Sequence, residues 1–294
     1  GEAPAMHPSK VYRTEECPVP AFLPALQEVA DEVASYYSSV RRCDDTVGAL
    51  LKVLEQTGAE EQTVVVFLSD NGMSFPFAKA GCYLNSTRTP WIVRWPGRVA
   101  QGALCENEMI SAVDLMPTLL DVAGVDGPAG LDGRSFLELL DGGSQAGRDF
   151  VFTQFGQAST GASYPVRCIQ SRKHGYIFNP WADGTRLFEQ GEAANSLTLG
   201  AMRAAAPTDA AIAQRLELLE RRVLEELFDF VEDPQALENR IDDPTLSADL
   251  EDLREKLESW MIRYKDPALT AFRMRNSPEV LDAFLSEMGR LGQE

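Results

Sequence analysis

A chain of 294 residues, 44% of them hydrophobic, is long enough for one large α/β domain or two smaller domains, and too apolar to be disordered. Its formal charge of −18 argues against a general nucleic-acid binder, because phosphate would be repelled, although a local cationic pocket can still bind an anion. No run of about 18 apolar residues is present, so we predict no membrane-spanning helix. We attribute the acidic balance to solubility or to a saline habitat.

The five cysteines, at positions 17, 43, 82, 105 and 168, form no C-x-x-C pair. The sequence therefore predicts neither a zinc site nor a disulfide framework. It opens GEAPAMHPSK, with neither an initiator Met nor the apolar segment of a signal peptide. From this opening we expect a chain that is processed or cut out of a longer one.

The first predicted element is a long helix over residues 23–57, which Gly58 ends. Its apolar residues recur at alternating steps of three and four and describe one buried stripe. The stripe consists of Leu26, Val29, Val33, Tyr36, Val40, Cys43, Val47, Leu50 and Leu54. Next, TVVVFLS at 63–69 is continuously apolar and β-branched, which is typical of a strand buried on both faces.

A second strand, PWIVRWP, and a helix, DLMPTLLDVAG, are predicted next. We predict Asp114 as the N-cap of this helix, Pro117 in its first turn and Gly124 at its end. Helix, buried strand, strand and helix together predict part of a doubly wound α/β sheet.

A glycine-rich stretch predicts a domain boundary near residue 140, between residues 1–140 and 141–294. Beyond it, DFVFTQF, YPVRCIQ and GYIFNP are separated by turn residues and predict a small antiparallel sheet. Helices follow, predicted at 208–227, 246–264 and 278–291. The last has Ser277 as its cap and Pro278 at its first position, and we interpret RRVLEELFDF within this region as a core-facing helix.

Asp70 and Asn71 come directly after the first predicted strand, in the sequence SDNG. In open α/β sheets ligands bind beyond the carboxyl ends of the strands. Carboxylate and amide oxygens suit Ca²⁺ or Mg²⁺ better than zinc, and Gly72 lets the chain turn away sharply. For the triplet DNG alone, the alternative is an Asx turn that merely ends the strand.

The longer pattern favours a binding site. Lys79, Tyr83, Arg88 and Pro90 follow as K-x3-Y-x4-R-x-P and lead into WIVRWPG. With SDNG, this pattern resembles the sulfatase family within the alkaline phosphatase superfamily, and the FPFAK approach is most similar to the N-sulfoglucosamine sulfohydrolase-like (heparan N-sulfatase-like) branch. The resemblance covers most of residues 18–265, through YYSSVRRCDDTVGALLKVLEQTG, SAVDLMPTLLDVAGV and EELFDFVEDPQALENRIDDP.

The resemblance implies that Asp70 and Asn71 are two of the oxygen ligands of a single Ca²⁺, with Mg²⁺ as the other cation that fits. Lys79 would contact the sulfate, where an ammonium group offsets charge that develops in the transition state. An asparagine after the aspartate, where phosphatases of the superfamily tend to carry histidine, favours one hard cation over a zinc pair. We interpret Tyr83 and Arg88 as loop scaffolding, with Arg88 in an internal ion pair.

The family nucleophile is a formylglycine made from Cys or Ser in a C/S-x-P/A-x-R motif, and we assign it to no cysteine or serine of this chain. The paired-aspartate strand that supplies the other calcium ligands is missing as well, and the central catalytic histidine is expected upstream of residue 1. His7 and His174 receive no catalytic role, and we expect His174 to be structural. The formylglycine is therefore expected in a missing N-terminal half, and this chain alone is predicted to be inactive.

The leading hypothesis is the C-terminal portion of a sulfatase that hydrolyses sulfate esters or sulfamates of glycosaminoglycan-type carbohydrates. The chain would be a fragment of such an enzyme, or a product whose partner supplies the other half. A phosphodiesterase or phosphonate hydrolase of the same superfamily and a non-catalytic binding or assembly module are the alternatives. The expected partner is a sulfated sugar, with neither nucleic acid nor membrane, and the resemblance implies a periplasmic, secreted or lysosomal protein.

Overall fold

The structure is a computed structural model that describes residues 7–158, 161–189 and 194–291. Its α-helices are α1 (Gln27–Gln56), α2 (Leu84–Thr87), α3 (Leu115–Ala123), α4 (Leu137–Leu140), α5 (Leu197–Ala205), α6 (Ala210–Arg221), α7 (Ser247–Arg263), α8 (Leu269–Arg273) and α9 (Pro278–Leu291). Its β-strands are β1 (Val65–Leu68), β2 (Trp91–Arg94), β3 (Phe150–Gln157), β4 (Ser163–Ser171), β5 (His174–Phe178) and β6 (Glu225–Asp229). None of the helices in these ranges is long and apolar enough to cross a membrane.

Helix α1 is buried only over its N-terminal half. Val29 is fully buried, and the carboxylate of Glu32 accepts a hydrogen bond of 2.8 Å from the backbone N–H of Thr198 at the start of α5. Farther along the stripe, Val40 is 46% exposed and Leu50 is 63% exposed. The prediction of one continuous buried stripe is therefore wrong for the C-terminal half of α1, because the described elements leave it uncovered.

Strands β1 and β2 pair antiparallel, with Val65 opposite Arg94 and Leu68 opposite Trp91. The run forms a strand because β-branched side chains favour extended backbone. All four residues of β1 are only half-buried, so the expected burial on both faces is wrong. Within the described ranges this sheet has two strands, and part of its surface stays open. Strand β1 ends directly before Ser69, so Asp70 and Asn71 lie just beyond the end of this strand.

Helix α3 ends as predicted at Gly124, whose φ of 64° is left-handed. Asp114 is the N-cap residue of α3, as predicted, but its side chain makes no cap hydrogen bond to the helix. The buried carboxylate accepts instead from the backbone N–H groups of Ser111 (3.0 Å) and Arg134 (2.8 Å), and from Nη1 of Arg148 (2.8 Å). A buried ion pair with Arg148 thus joins the start of α3 to the segment that leads into β3.

The C-terminal part contains an antiparallel sheet in the order β3-β4-β5-β6. Strands β3, β4 and β5 confirm the three predicted strands. Strand β6 replaces the last part of the helix predicted at 208–227: α6 ends at Arg221, Arg222 adopts a φ of 58°, and the chain then pairs with β5. The prediction of a helix in RRVLEELFDF is therefore wrong, because pairing with a distant strand outweighs local helical spacing.

Helices α7 and α9 confirm the predictions at 246–264 and 278–291. Helix α7 packs on β4 and β5 with Leu253 and Leu257 buried. One hydrophobic cluster contains Val29 of α1, Tyr83 of the loop before α2, and Leu257. The division near residue 140 stays a prediction, and this shared core holds the predicted site against the C-terminal sheet.

Candidate functional site

Asp70 and Asn71 form a hydrogen-bonded corner after β1. Oδ1 of Asp70 accepts from the backbone N–H of Asn71 at 2.9 Å, and Nδ2 of Asn71 donates to the carbonyl of Gly72 at 2.7 Å. The hydroxyl of Ser69 donates to the carbonyl of Asn71 at 2.8 Å. None of these bonds is that of an Asx turn, because the N–H of Gly72 donates to the carbonyl of Ser86 and not to the side chain of Asp70. The second carboxylate oxygen of Asp70 and the amide oxygen of Asn71 take no part in these bonds.

Gly72 lets the chain pass close to α2. Its N–H donates to the carbonyl of Ser86 at 3.0 Å, and a Cβ placed on it would lie 1.9 Å from the carbonyl oxygen of Asn85 and 2.4 Å from that of Ala78. Both oxygens belong to the backbone and cannot swing aside as a side chain would. Glycine is required here by close approach, and this approach sets the distance between the end of β1 and the loop of Lys79.

Lys79 lies on a loop whose backbone is strained on both sides. Phe77 and Ala80 have φ values of 63° and 57°, a region that costs a non-glycine residue about 1–2 kcal/mol. Phe77 is nevertheless buried, with its ring centroid 5.0 Å from that of Tyr83 and 3.7 Å from the guanidinium of Arg215. Packing thus holds the strained backbone, and strain of this kind concentrates at functional sites.

Tyr83 anchors the same loop to the C-terminal sheet. Its hydroxyl donates to Oε2 of Glu226 on β6 at 3.0 Å, and Nδ2 of Asn179 donates to Oε1 of that carboxylate at 2.8 Å. Burial raises the pKa of Glu226, and the nearby Arg222 guanidinium opposes that rise. Burial also raises the pKa of Tyr83, so its hydroxyl stays a donor at neutral pH. These contacts agree with the interpretation of Tyr83 as loop scaffolding.

A cavity of about 760 Å³ opens between the end of β1 and the C-terminal sheet. Asp70, Asn71 and Lys79 all line it, so the structure brings together the three residues selected from the sequence. Its volume suits a small ligand such as a sugar. The opposite wall is formed by β3 and by the end of β4, and it includes Val151, Thr153, Phe155, Gln170 and Arg172.

Gln170 joins the two walls of the cavity. It is buried, its Nε2 donates to the carbonyl of Cys82 at 3.3 Å, and its Oε1 accepts from the hydroxyl of Thr87 at 2.9 Å. Sequence reasoning did not select Gln170 or Arg172, because 83 positions separate Thr87 from Gln170 and no local motif surrounds them. The only sequence signal is that Gln170 ends a predicted strand of the small sheet and Arg172 follows that strand, which is too general to mark a site.

Arg88 lines the cavity and is exposed. In the part of the chain that the structure describes, no hydrogen bond or ion pair involves its side chain, so the predicted internal ion pair is not found. The buried ion pair nearby joins Arg148 to Asp114 instead. Arg88 is therefore a cationic group at the cavity and not an internal brace of the loop.

The oxygen atoms of Asp70 and Asn71 fit a hard divalent cation in part. Carboxylate and amide oxygens are the right donors, but Ca²⁺ takes about six to eight ligands. Across residues 7–158, 161–189 and 194–289, no group of three or more His, Cys, Asp or Glu side chains could hold a metal ion. The role of Asp70 and Asn71 as cation ligands therefore stays a prediction, and the described residues alone do not form a complete cation site.

The two histidines do not line the cavity. His174 begins β5, with Nδ1 3.7 Å from a carboxylate oxygen of Asp249 on α7, and it is half-buried. His7 is exposed near the start of the described chain, and neither residue lines the cavity. These positions agree with the absence of a catalytic role for either histidine.

One serine does match the formylglycine motif, contrary to the expectation that no residue does. Ser163 to Arg167 reads S-Y-P-V-R, which satisfies C/S-x-P/A-x-R. The stretch lies on β4, where both Nε and Nη2 of the buried Arg167 donate to Asp266, at 2.5 and 2.9 Å. Ser163 does not line the cavity. The arginine of the motif is therefore held in a buried ion pair, and the matching stretch is part of strand β4.

Two family models match this chain. The model described as Sulfatase matches residues 4–125, and the model described as N-sulphoglucosamine sulphohydrolase, C-terminal, matches residues 74–178. Human N-sulphoglucosamine sulphohydrolase is 28% identical over 270 residues, which cover 86% of this chain and 52% of the relative. The chain thus spans about half the length of this curated relative.

Solved structures share the fold. A 2-O GAG sulfatase superposes with a TM-score of 0.60 at 21% identity, over 88% of this chain and 52% of that chain. The phosphonate monoester hydrolase of Agrobacterium radiobacter superposes with a TM-score of 0.56 at 22% identity, over 80% of this chain and 42% of that chain. The predicted class, an alkaline phosphatase-like α/β core followed by a small antiparallel sheet with helices, is confirmed. The Sulfatase model and then the N-sulphoglucosamine sulphohydrolase C-terminal model match in order over residues 4–178, so this part of the chain resembles sulfatases of the N-sulphoglucosamine sulphohydrolase branch.

Proposed function

We propose that this chain is the cation- and sulfate-binding portion of a sulfatase that hydrolyses sulfate esters or sulfamates of carbohydrates. The observation that carries the proposal is that Asp70, Asn71 and Lys79 line one cavity. The substrate class is a glycosaminoglycan-type sugar, which the names of the relatives support: one is an N-sulphoglucosamine sulphohydrolase and another a 2-O GAG sulfatase.

Asp70 and Asn71 are proposed to give two oxygen ligands to one Ca²⁺ or Mg²⁺, which when bound neutralises and orients the sulfate group. Lys79 is the proposed catalytic and substrate-binding residue. Its ammonium group contacts the sulfate oxygens and stabilises the charge that develops on them in the transition state. The strained backbone at Phe77 and Ala80 restricts the loop and so limits the positions that Lys79 can take.

The nucleophile is proposed to come from outside this chain, as a formylglycine. The matching serine, Ser163, does not line the cavity, and the arginine of its motif is bound to Asp266. We therefore expect the 294-residue chain alone to hydrolyse no sulfated sugar. Hydrolysis by the purified chain that is lost on Lys79→Ala contradicts this expectation.

Calorimetric titration of the chain with N-sulfoglucosamine in the presence of Ca²⁺ tests the proposed binding role. A charge-assisted hydrogen bond contributes about 1.5–3 kcal/mol, so Lys79→Ala is expected to weaken binding at least about tenfold. Chelation of the cation is expected to weaken binding as well. Lys52→Ala removes an exposed lysine of α1 outside the cavity and should bind like the wild type. Equal affinities for Lys79→Ala and the wild type overturn the proposal.

A hydrolase of phosphonates or phosphodiesters is the second candidate, because the Agrobacterium enzyme shares the fold. Asn71 after Asp70, and the FPFAK approach to Lys79, favour the sulfatase. The same titration with the phosphate analogue of the sugar separates the two candidates, since a clear preference for the phosphate favours the phosphorus-ester hydrolase. Binding of neither sugar favours a non-catalytic module.

We further propose that the chain acts with a sulfated sugar and with no nucleic acid, which its charge of −18 supports. The compartment that the family resemblance implies is the periplasm, the extracellular space or the lysosome.

A further inference from the structure

The charged side chains that line the cavity differ in balance from the rest of the molecule. Among the residues that the structure describes, they comprise three basic and two acidic residues, whereas the whole chain has 27 basic and 45 acidic residues. The described lining therefore has a small excess of basic side chains on a strongly acidic chain, and a local excess of this kind favours an anionic ligand. The five residues are Asp70, Lys79, Arg88, Arg172 and Glu189.

Arg172 continues the cavity face of the C-terminal sheet. Val151 and Thr153 of β3 line the cavity, and Val151 lies opposite Gln170 on β4. Arg172 follows directly after β4, in the β4–β5 turn, and lines the same cavity as Gln170. Nη1 of Arg172 donates to Oδ1 of Asn107 at 3.0 Å. This bond orients the guanidinium and leaves its other N–H donors for a ligand.

Arg88 reaches the cavity from the opposite wall. It follows Thr87, whose hydroxyl is bonded to Gln170, and Gln170 is two residues from Arg172. The buried Gln170 therefore fixes the segments that carry the two arginines against each other. The Arg88 side chain makes no hydrogen bond or ion pair with any other described residue, so an incoming anion displaces no existing partner.

We propose that Arg88 and Arg172 form a second anion-binding subsite in this cavity. The subsite takes a second sulfate or a carboxylate of the same sugar whose first sulfate lies at Lys79. This inference rests on the proposed function and adds to it a substrate with at least two anionic groups. Arginine suits the role, because its planar fork matches the geometry of sulfate and carboxylate oxygens.

The test is calorimetric titration of the 294-residue chain in Ca²⁺ with three ligands: N-sulfoglucosamine, the 2-N,6-O-disulfate of glucosamine, and a disaccharide of N-sulfoglucosamine and a uronic acid. We expect the wild type to prefer at least one of the two ligands with a second anion by about tenfold, as a charge-assisted bond allows. The double variant Arg88→Gln/Arg172→Gln should lose this preference and bind N-sulfoglucosamine within about twofold of the wild type. If the double variant loses the preference for the disulfate, the subsite binds a sulfate group. If it loses the preference for the disaccharide, the subsite binds a carboxylate.

Arg42→Gln is the matched control, since Arg42 is exposed on α1 and does not line the cavity. The subsite is overturned if the wild type has no preference for a second anion, if the double variant keeps it, or if Arg42→Gln loses it equally. If the wild-type chain binds N-sulfoglucosamine but neither of the other two ligands, the subsite is overturned and the proposed function stands. Binding of none of the three ligands overturns both.

Discussion

Glu226 is a fully buried carboxyl group that faces Tyr83, Asn179 and Arg222. It accepts hydrogen bonds from the first two, and the guanidinium of Arg222 lies 4.5 Å from the Tyr83 ring centroid. Burial raises the pKa of Glu226 and outweighs the opposing effect of Arg222. Tyr83 belongs to the loop of Lys79. Ionisation of Glu226 therefore changes the hydrogen bond that anchors this loop to β6.

The raised pKa of Glu226 predicts how stability changes with pH. The folded state holds the proton more tightly than the unfolded state, so the stabilising contribution is complete below the ordinary pKa of 4.5 and is lost as pH rises through the folded pKa. Glu226→Gln cannot ionise. The free energy of unfolding of the wild type, relative to Glu226→Gln, is therefore expected to fall as pH rises above 4.5. Urea unfolding at a series of pH values measures this difference.

Glu279→Gln provides a control with the opposite sign. A hydrogen bond from the Ser277 hydroxyl lowers the pKa of Glu279, so its contribution is present above the ordinary pKa and is lost as pH falls through the folded pKa. A difference between wild type and Glu226→Gln that does not change with pH contradicts the assignment of a raised pKa to Glu226.

At the scale of elements, the site depends on how closely the end of β1 approaches α2. Gly72 lies between the two, with no space for a Cβ against the carbonyl oxygens of Asn85 and Ala78. The short helix α2 itself is held by Ser86, which is buried and donates through its hydroxyl to the carbonyl of Phe77 at 3.3 Å. A side chain at Gly72 would therefore displace the backbone of α2 and of the loop that carries Lys79.

Gly72→Ala is expected to destabilise the fold by about 1–3 kcal/mol, as overpacking does, and to weaken binding of N-sulfoglucosamine by displacing Asp70 from Lys79. Gly48→Ala is the matched control in α1, where no atom lies within 4 Å of the added Cβ. There alanine should stabilise the helix by about 0.5–1 kcal/mol. Thermal unfolding and calorimetric titration measure the two effects, and wild-type binding by Gly72→Ala would refute the role given to this glycine.

Across the whole molecule, long-range polar contacts join the parts of the chain around one core. Tyr83 and Glu226 are 143 positions apart, and Arg167 and Asp266 are 99 positions apart. The second pair is buried and links β4 to the segment between α7 and α8. Asp266 also accepts from the backbone N–H of Ala268 at 2.8 Å, so it organises the start of α8 as well.

Asp266→Asn is expected to cost about 3–5 kcal/mol of unfolding free energy, because it leaves the guanidinium of Arg167 buried without its counter-charge. Asp141→Asn is the control, since the Arg98–Asp141 pair is exposed and its loss should change stability little. Chemical denaturation of both variants checks the contrast. Equal losses of unfolding free energy in the two variants would mean that burial does not determine how much these ion pairs contribute to stability.

Helices α7 and α9 could be predicted because their apolar spacing, caps and proline are local signals. Strand β6 could not, since EELFD continues a helical pattern and becomes a strand only through pairing with β5. The same distinction applies to the site. Asp70, Asn71 and Lys79 lie within one short motif, whereas Arg172 and Glu226 reach the cavity or its anchor through contacts between segments distant in sequence.

The order of short-range motifs alone indicated the family resemblance, the strand that precedes Asp70 and Asn71, and the selection of Lys79, because turn chemistry and periodicity operate over a few residues. Tertiary structure decided the remainder: which half of α1 is buried, that Arg88 lines a cavity without an ion-pair partner among the described residues, and that Gln170 is hydrogen-bonded to Thr87 across that cavity. Those outcomes depend on which distant segments come into contact, and contact energies between such segments exceed the weak preferences that a local sequence pattern encodes.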